Sequence, residues 1–137
     1  MNRRDFLILT AGAATALPLA AHAKPLDYMP GLVTKHLKAG DTVFLDFKAS
    51  WCTTCAAQER VINALKADNP AYENAITFID VDWDEFGKSE LVKSLNIPRR
   101  STLVVLKGEQ ELGRIVAQTS KADIKGLMDA ALGAATA

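Results

Sequence analysis

The sequence has few cysteines, no excess of charge of either sign and no internal repeat. Its 137 residues include two cysteines, which are too few for a domain stapled by several disulfides or for a self-contained zinc module. The 16 basic side chains balance the 16 acidic ones, which disfavours a nucleic-acid-binding protein, because such proteins carry a clustered basic surface. A hydrophobic share of 49% disfavours intrinsic disorder. A hydrophobic core must therefore hold the fold.

The chain begins with the pattern of an export signal, in residues 1–23. A charged start precedes an apolar run over 6–20, and a small-residue cleavage motif, Ala-His-Ala, ends at Ala23. The apolar run is shorter than the roughly 20 residues that span a bilayer, which favours a cleaved signal over a permanent anchor. We predict cleavage after Ala23, which leaves one mature domain over 24–137.

The residue order at this start also predicts an export route. Arg3-Arg4 is followed by one variable residue and then by Phe6 and Leu7, which resembles the twin-arginine signal that exports folded proteins. A general secretory signal that happens to have two arginines is the alternative. Both routes lead to the bacterial periplasm or the cell exterior, so we predict a periplasmic protein.

The spacing of apolar residues after Lys24 predicts alternating helices and strands. β-branched and aromatic runs predict strands, and apolar residues that recur every three or four positions predict helices. The predicted order is a helix over 30–38, a strand over 42–47, a helix over 53–67, a strand over 76–81, a helix over 85–95, strands over 102–106 and 111–116, and a last helix opened by Ser120.

This order predicts an α/β fold with a central mixed β-sheet flanked by helices. The strand–helix–strand unit over 42–81 favours two parallel strands with a right-handed connection. The two strands over 102–116 flank a short polar connection that contains Gly108, which is typical of an antiparallel hairpin.

The chemistry is predicted where the first strand turns into a helix, at Cys52-Thr53-Thr54-Cys55. This spacing puts the first sulfur at the helix N-terminus and the second one turn inside. Free backbone N–H groups and the positive end of the helix dipole stabilise a thiolate there, so we expect the pKa of Cys52 to fall. Cys52 is therefore the expected nucleophile. Cys55 is expected to attack the mixed disulfide that Cys52 has formed and to release the partner.

The segment over 46–55, Asp-Phe-Lys-Ala-Ser-Trp-Cys-Thr-Thr-Cys, resembles the active-site segment of the thioredoxin family. The resemblance covers nearly all of the mature chain and implies a thioredoxin-like fold and thiol–disulfide exchange with cysteine-containing proteins. It implies a redox-active disulfide between Cys52 and Cys55. Trp51 corresponds to the tryptophan beside the nucleophile. Asp46 corresponds to a buried acid that helps to deprotonate the resolving cysteine, and burial is expected to raise its pKa.

One departure from the family concerns the loop that binds substrate. The family has a cis-proline there, directly before a strand that begins with Thr or an equivalent residue; this chain has Ser101 before Thr102, and Pro98 is too far away. A cis bond without proline costs about 2.5–4 kcal/mol, so we predict a trans Arg100–Ser101 bond and a changed groove. Substrate binding is still expected at Arg100, Ser101 and Thr102.

A second departure concerns the charges around the pair. Lys48 replaces an aromatic residue just ahead of the motif, and Asp80 stands near the position of a lysine that some members pair with the buried acid. Arg99 and Arg100 are expected on the loop beside Cys52. There they either favour the thiolate and attract acidic partner surfaces, or are simply solvated.

Other candidates give weaker signals. His36 lacks the partners that a tetrahedral zinc site needs. The acidic residues over 80–85 lack the spacing of a calcium-binding loop. We interpret them as an ordinary surface histidine and a solvated turn, with Trp83 covering an edge of the core. We predict no resident metal and no cofactor.

Together these features predict a periplasmic thiol–disulfide oxidoreductase that acts as a reductant. Hydroxyls of Thr53 and Thr54 are candidates to stabilise the Cys52 thiolate, and the expected potential lies between about −270 and −120 mV. The expected partners are cysteine-containing proteins and a membrane protein that supplies or accepts electrons; we expect a monomer that does not bind nucleic acid. Two alternatives stay open. One is a carrier of a metal ion or iron–sulfur cluster on the cysteine pair, with Ser101 as an added ligand, and the other is a binding module with a structural disulfide.

Overall fold

The computed structural model describes residues 24–137, and the predicted export signal in residues 1–23 lies outside them. The strands of this part of the chain are β1 (Leu26–Asp27), β2 (Thr42–Lys48), β3 (Thr77–Asp82), β4 (Thr102–Lys107) and β5 (Gln110–Val116). The helices are α1 (Leu32–Lys38), α2 (Thr53–Asp68), α3 (Ala71–Ala75), α4 (Trp83–Phe86), α5 (Glu90–Leu95) and α6 (Lys121–Ala135). None of these helices is both long and apolar enough to cross a membrane.

The five strands form one mixed sheet in the order β1-β3-β2-β4-β5. β3 pairs in parallel with β1 and β2, and β4 pairs antiparallel with β2 and β5. This pairing confirms the predicted α/β fold, in which a strand–helix–strand unit is followed by an antiparallel hairpin. β2 takes the central position, and its almost fully buried residues match the continuous apolar run of a strand covered on both faces.

The two faces of β2 pack against different helices, because successive side chains of a strand point to opposite sides. Phe44 packs with Ile62 of α2 and Met128 of α6 on one face. Leu45 packs with Val92 of α5 on the other face. The helices packed on these two faces fix the position of the carboxyl end of β2, where the chain enters the candidate site.

The short helix α3 was not expected from the sequence. The helix predicted over 53–67 is confirmed as α2, which stops at Asp68. Pro70 then opens α3, since its fixed φ, here −60°, suits the start of a helix. The Asn69 side chain accepts a hydrogen bond from the Ala71 N–H at 3.1 Å, which supports that start.

The sequence also predicts one helix over 85–95, and this prediction is wrong. The chain forms α4, turns through residues 87–89 and forms α5. Ser89 accepts a hydrogen bond from the N–H of Val92 at 3.3 Å, so it caps a new helix instead of continuing the old one. The two-residue strand β1 was missed as well, because it is too short to show a periodic pattern.

Candidate active site

Cys52 and Cys55 lie where the chain leaves β2 and enters α2, as the spacing predicted, and their sulfurs are joined in a disulfide. Cys52 is the N-cap of α2, and its sulfur accepts a hydrogen bond from the backbone N–H of Cys55 at 3.1 Å. Both side chains are buried, with exposed fractions of 4% and 1%. The first sulfur therefore faces the positive end of a 16-residue helix.

The hydroxyl of Ser101 lies against both sulfurs. Its Oγ is 3.2 Å from the Sγ of Cys52 and 3.1 Å from the Sγ of Cys55. Ser101 is fully buried, so water does not compete for this hydroxyl. Thr53 and Thr54 were the expected hydroxyl donors, but the hydroxyl found at the sulfurs comes from the loop before β4 instead.

The backbone of Ser101 is held in an unusual conformation. Its φ of 64° is in the left-handed region, which costs a residue with a side chain on the order of 1–3 kcal/mol. Its N–H donates to the Phe47 carbonyl at 2.7 Å, and its carbonyl accepts from the Ala117 N–H at 2.9 Å. No peptide bond among residues 24–137 is cis, so the Arg100–Ser101 bond is trans, as predicted.

Gln58 also holds this loop, and the sequence analysis did not single it out. Its Nε2 donates to the carbonyls of Ser101 and Gln118, at 3.0 Å each, and its side chain is fully buried. The sequence feature that identifies Gln58 as an inward-facing residue is its position, three residues after Cys55 and four before Ile62. Gln58 is therefore a polar residue on the inward stripe of α2.

Trp51 forms the exposed part of the site, with 57% of its surface accessible. The Arg100 guanidinium lies over its ring, with Cζ 4.5 Å from the ring centroid, within the range of a cation–π contact. Trp51 Nε1 donates to both carboxylate oxygens of Asp84 at 3.0 Å. The acidic residues over 80–85 are thus more than the solvated turn that their spacing predicts, because Asp84 binds Trp51 at the site.

Trp83 packs against the small cluster of Ala49, Cys52 and Cys55, so it covers a core edge beside the disulfide. Thr102 is fully buried, and its hydroxyl donates to the Arg99 carbonyl at 2.7 Å. The loop before β4 is thus tied to itself, to β2 and to α2. Of its residues, Arg100 is the one that reaches Trp51.

Asp46 is a buried carboxyl in the middle of β2, with an exposed fraction of 5%. Its Oδ1 has no hydrogen-bond partner among residues 24–137. Burial, together with the negative charge of Asp80, raises the pKa of Asp46 to about 7, while the Lys48 ammonium opposes the shift. A carboxyl with this pKa can gain or lose a proton near neutral pH.

A cavity of about 320 Å³ opens beside Asp46, and charged side chains line it. Lys48 Nζ lies 3.1 Å from a Glu59 carboxylate oxygen and 3.7 Å from one of Asp80. These carboxylates raise the pKa of Lys48 despite its partial burial. Lys48 therefore pairs with Asp80 and Glu59, and its positive charge opposes the raised pKa of Asp46.

Lys66 also lines this cavity, and its ammonium lies 3.9 Å from the centroid of the Phe78 ring. Burial lowers the pKa of Lys66, although nearby carboxylates oppose that change. His36, by contrast, lies on α1 and bonds Asp41 at 2.8 Å. No group of three or more His, Cys, Asp or Glu residues within 24–137 is arranged to hold a metal ion.

Similarity to known proteins points to one family. The family model for thioredoxin matches residues 33–130. Thioredoxin H-type of Oryza sativa subsp. indica is 30% identical over 104 residues, which cover 76% of this chain and 79% of that protein. Thioredoxin H2-1 of Oryza sativa subsp. japonica is 31% identical over 81 residues, or 59% of this chain, so the chain spans about half (54%) of that relative.

A solved structure agrees with these matches. The crystal structure of Trxlp from Edwardsiella tarda EIB202 is 27% identical and has a TM-score of 0.65, with 76% of this chain and 98% of that chain covered. The shared fold accompanies a disulfide-capable Cys-x-x-Cys pair that directly follows Trp51. The chain therefore belongs to the thioredoxin family of thiol–disulfide oxidoreductases.

Proposed function

We propose that this protein is exported to the periplasm and reduces disulfides in cysteine-containing proteins by exchange with the Cys52–Cys55 pair. The observation that carries the proposal is the Cys55 N–H bonded to the Cys52 sulfur at the N-terminus of α2. That position favours a thiolate over a thiol at Cys52, because the helix end supplies free donors and positive potential. A thiolate is the species that attacks a disulfide.

The proposed reaction has two exchanges. The Cys52 thiolate attacks one sulfur of a substrate disulfide, so a mixed disulfide forms and one substrate thiolate leaves. The Cys55 thiol then loses its proton and attacks the Cys52 sulfur, which re-forms the Cys52–Cys55 disulfide and releases the second substrate thiolate. We assign the role of proton acceptor for Cys55 to Asp46, because its pKa of about 7 matches that task.

We assign substrate contact to the loop before β4. Arg100 lies over the exposed ring of Trp51, and together they present a cationic and aromatic surface beside Cys52. Ser101 and Thr102 are fully buried, so their part in substrate binding is to fix the loop that presents Arg100.

The export signal predicted in residues 1–23 supports the periplasmic location. A reductant in that oxidising compartment needs electrons from elsewhere, so we propose a membrane protein as its electron donor. We further propose that the protein works as a monomer.

The reduction potential of the full chain tests the proposed direction of exchange. The protein is equilibrated in dithiothreitol and glutathione buffers, with Trp51 fluorescence as the readout of the neighbouring pair. A reversible two-electron transition closer to −270 mV than to −120 mV, values on the order of those of thioredoxin and a strong periplasmic oxidant, supports a reductant. A transition nearer −120 mV contradicts the direction, and no reversible transition contradicts exchange altogether.

Trapping of mixed disulfides tests the roles of the two cysteines. The variant Cys55→Ser is expected to accumulate covalent adducts with cysteine-containing proteins, because no thiol remains to resolve them. The matched variant Cys52→Ser is expected to form far fewer adducts. Equal trapping by both variants, measured on non-reducing gels, contradicts the assignment of Cys52 as nucleophile.

A further inference from the structure

We propose that Ser101 is a catalytic residue whose hydroxyl donates a hydrogen bond to whichever of the two cysteine sulfurs carries negative charge during exchange. The inference rests on the proposed function, because it assigns a role within that reaction. It goes beyond the substrate-loop role, since the group in question touches the reacting atoms themselves.

The position of the Ser101 hydroxyl suits this role. Ser101 Oγ lies nearly equidistant from the sulfurs of Cys52 and Cys55, at 3.2 and 3.1 Å. Disulfide sulfurs carry no proton, so the hydroxyl must be the donor in this oxidised state. Its one hydrogen can serve either sulfur after a small rotation.

Backbone hydrogen bonds hold Ser101 in place. The Ser101 N–H is bonded to Phe47 of β2, and its carbonyl is bonded to Gln58 and Ala117. Ser101 is fully buried and makes no hydrogen bond from its hydroxyl to any described group other than the sulfurs. The Ser101 hydroxyl is therefore positioned at the sulfurs before any charge develops on them, so the surrounding loop does not have to rearrange during the reaction.

Negative charge is carried by each of the two sulfurs in turn during the reaction. Before the first exchange the charge is on the Cys52 thiolate, which accepts hydrogen bonds from the Ser101 hydroxyl and the Cys55 N–H. Before the second exchange the charge is on Cys55, because its proton has gone to the base. In the reverse direction, a substrate thiolate attacks Cys52 and the electron pair of the broken disulfide stays on Cys55. The one hydroxyl between the sulfurs can donate a hydrogen bond to the charged sulfur in each of these states.

A thermodynamic consequence follows. A hydrogen bond to a thiolate is stronger than one to a neutral disulfide sulfur, because the acceptor is charged. Ser101 therefore stabilises the reduced pair more than the oxidised pair and raises the reduction potential. Proline, which the family resemblance places at this position, has no side-chain donor.

The experiment compares the full-length wild type with Ser101→Ala and Ser101→Gly. Both variants lack the hydroxyl, and glycine also accepts the positive φ at this position, so at least one is expected to fold. The ionisation constant of Cys52, followed by thiolate absorbance in the reduced protein, is expected to fall about tenfold or more in both variants. The equilibrium constant for oxidation of glutathione by the pair is expected to fall about tenfold, a potential about 30 mV lower.

The matched control is Ser50→Ala, which removes an exposed hydroxyl from the turn between β2 and α2 and is expected to behave as wild type. Wild-type values in both folded Ser101 variants overturn the catalytic role of Ser101 but leave the proposed function standing. Absence of any reversible redox transition in the wild type overturns the proposed function and this inference with it.

Discussion

Asp46 shows how one buried residue links the stability of this protein to pH. Its neighbours in β2 are apolar and fully buried, and its Oδ1 has no partner among the described residues. The folded chain therefore binds a proton at Asp46 more tightly than the unfolded chain does. Between the ordinary value of 3.8 and the raised pKa of about 7, stability must decrease as pH rises, because only the folded state holds that proton.

The variant Asp46→Asn tests this linkage. We expect it to match the wild type in free energy of unfolding near pH 4 and to exceed it above pH 7, by up to about 4 kcal/mol. The reason is that the amide avoids the cost of a buried charge. Urea denaturation of the oxidised protein across this pH range measures the difference. A constant offset between the two proteins at every pH contradicts the assigned pKa.

Lys48 limits how far burial raises the pKa of Asp46. Its ammonium lowers that pKa and also pairs with Asp80 and Glu59, whose charges raise it. In the variant Lys48→Met we expect the pKa of Asp46 to rise further, because the opposing positive charge is gone. The pH midpoint of the exchange rate, measured by single-turnover kinetics, should move upward as well.

The matched control for that prediction is Lys38→Met. Lys38 is an exposed cation at the end of α1, and its removal leaves the charges around Asp46 unchanged. A midpoint that moves equally in both variants attributes the shift to net charge alone and contradicts the specific role of Lys48.

At the scale of elements, α2 does more than present the cysteines. Its first turn holds the disulfide, and its second turn carries Gln58, which binds the loop before β4 and the segment after β5. One helix therefore connects the nucleophile to the loop that carries Ser101. The Gln58 side chain and its hydrogen bond to the Ser101 carbonyl are buried, so water does not compete for that bond.

The variant Gln58→Leu tests this connection. It leaves the carbonyls of Ser101 and Gln118 without the amide donor, and we expect a loss of roughly 1–3 kcal/mol in the free energy of unfolding. The reduction potential should also fall, because the Ser101 hydroxyl loses its anchor. Arg60→Leu, an exposed change on the same helix, serves as the control. A Gln58→Leu protein that unfolds like the wild type and keeps its potential contradicts this role for α2.

At the scale of the whole molecule, location decides which redox partners the chain can meet. The described domain is a mixed sheet with helices on both faces, whereas the export prediction depends on the sequence before it. Replacement of Arg3 and Arg4 by lysine should reduce the amount of protein in the periplasmic fraction of a bacterial host at least severalfold, because the twin-arginine route reads the arginine pair itself.

Replacement of Lys35 and Lys38 by arginine is the control, since it changes basic residues outside the signal. Retention of full export by the Arg3→Lys, Arg4→Lys variant contradicts the twin-arginine route and favours the general secretory one. Absence of both the Arg3→Lys, Arg4→Lys variant and the Lys35→Arg, Lys38→Arg control from the periplasmic fraction contradicts the proposed location.

The sequence alone determined the parts of this protein that depend on local patterns. The apolar run over 42–47 predicted a strand, and the cysteine spacing predicted a pair at a strand-to-helix junction. Both follow from interactions between near neighbours along the chain, and the structure confirms both. The prediction of a single helix over 85–95 also depended on a local pattern. It is wrong, because Ser89 starts a new helix within a continuous helical pattern.

The tertiary structure alone decided what surrounds the two sulfurs. Ser101 lies 49 residues after Cys52 and reaches it because β2 and β4 are paired neighbours in the sheet. Asp84 reaches Trp51 across 33 residues in a similar way. No local pattern in the sequence specifies such contacts. They depend on which strands become neighbours in the sheet and on which side-chain conformations the packed core allows. The sequence therefore predicts where the chemistry lies, and only the fold decides which groups tune it.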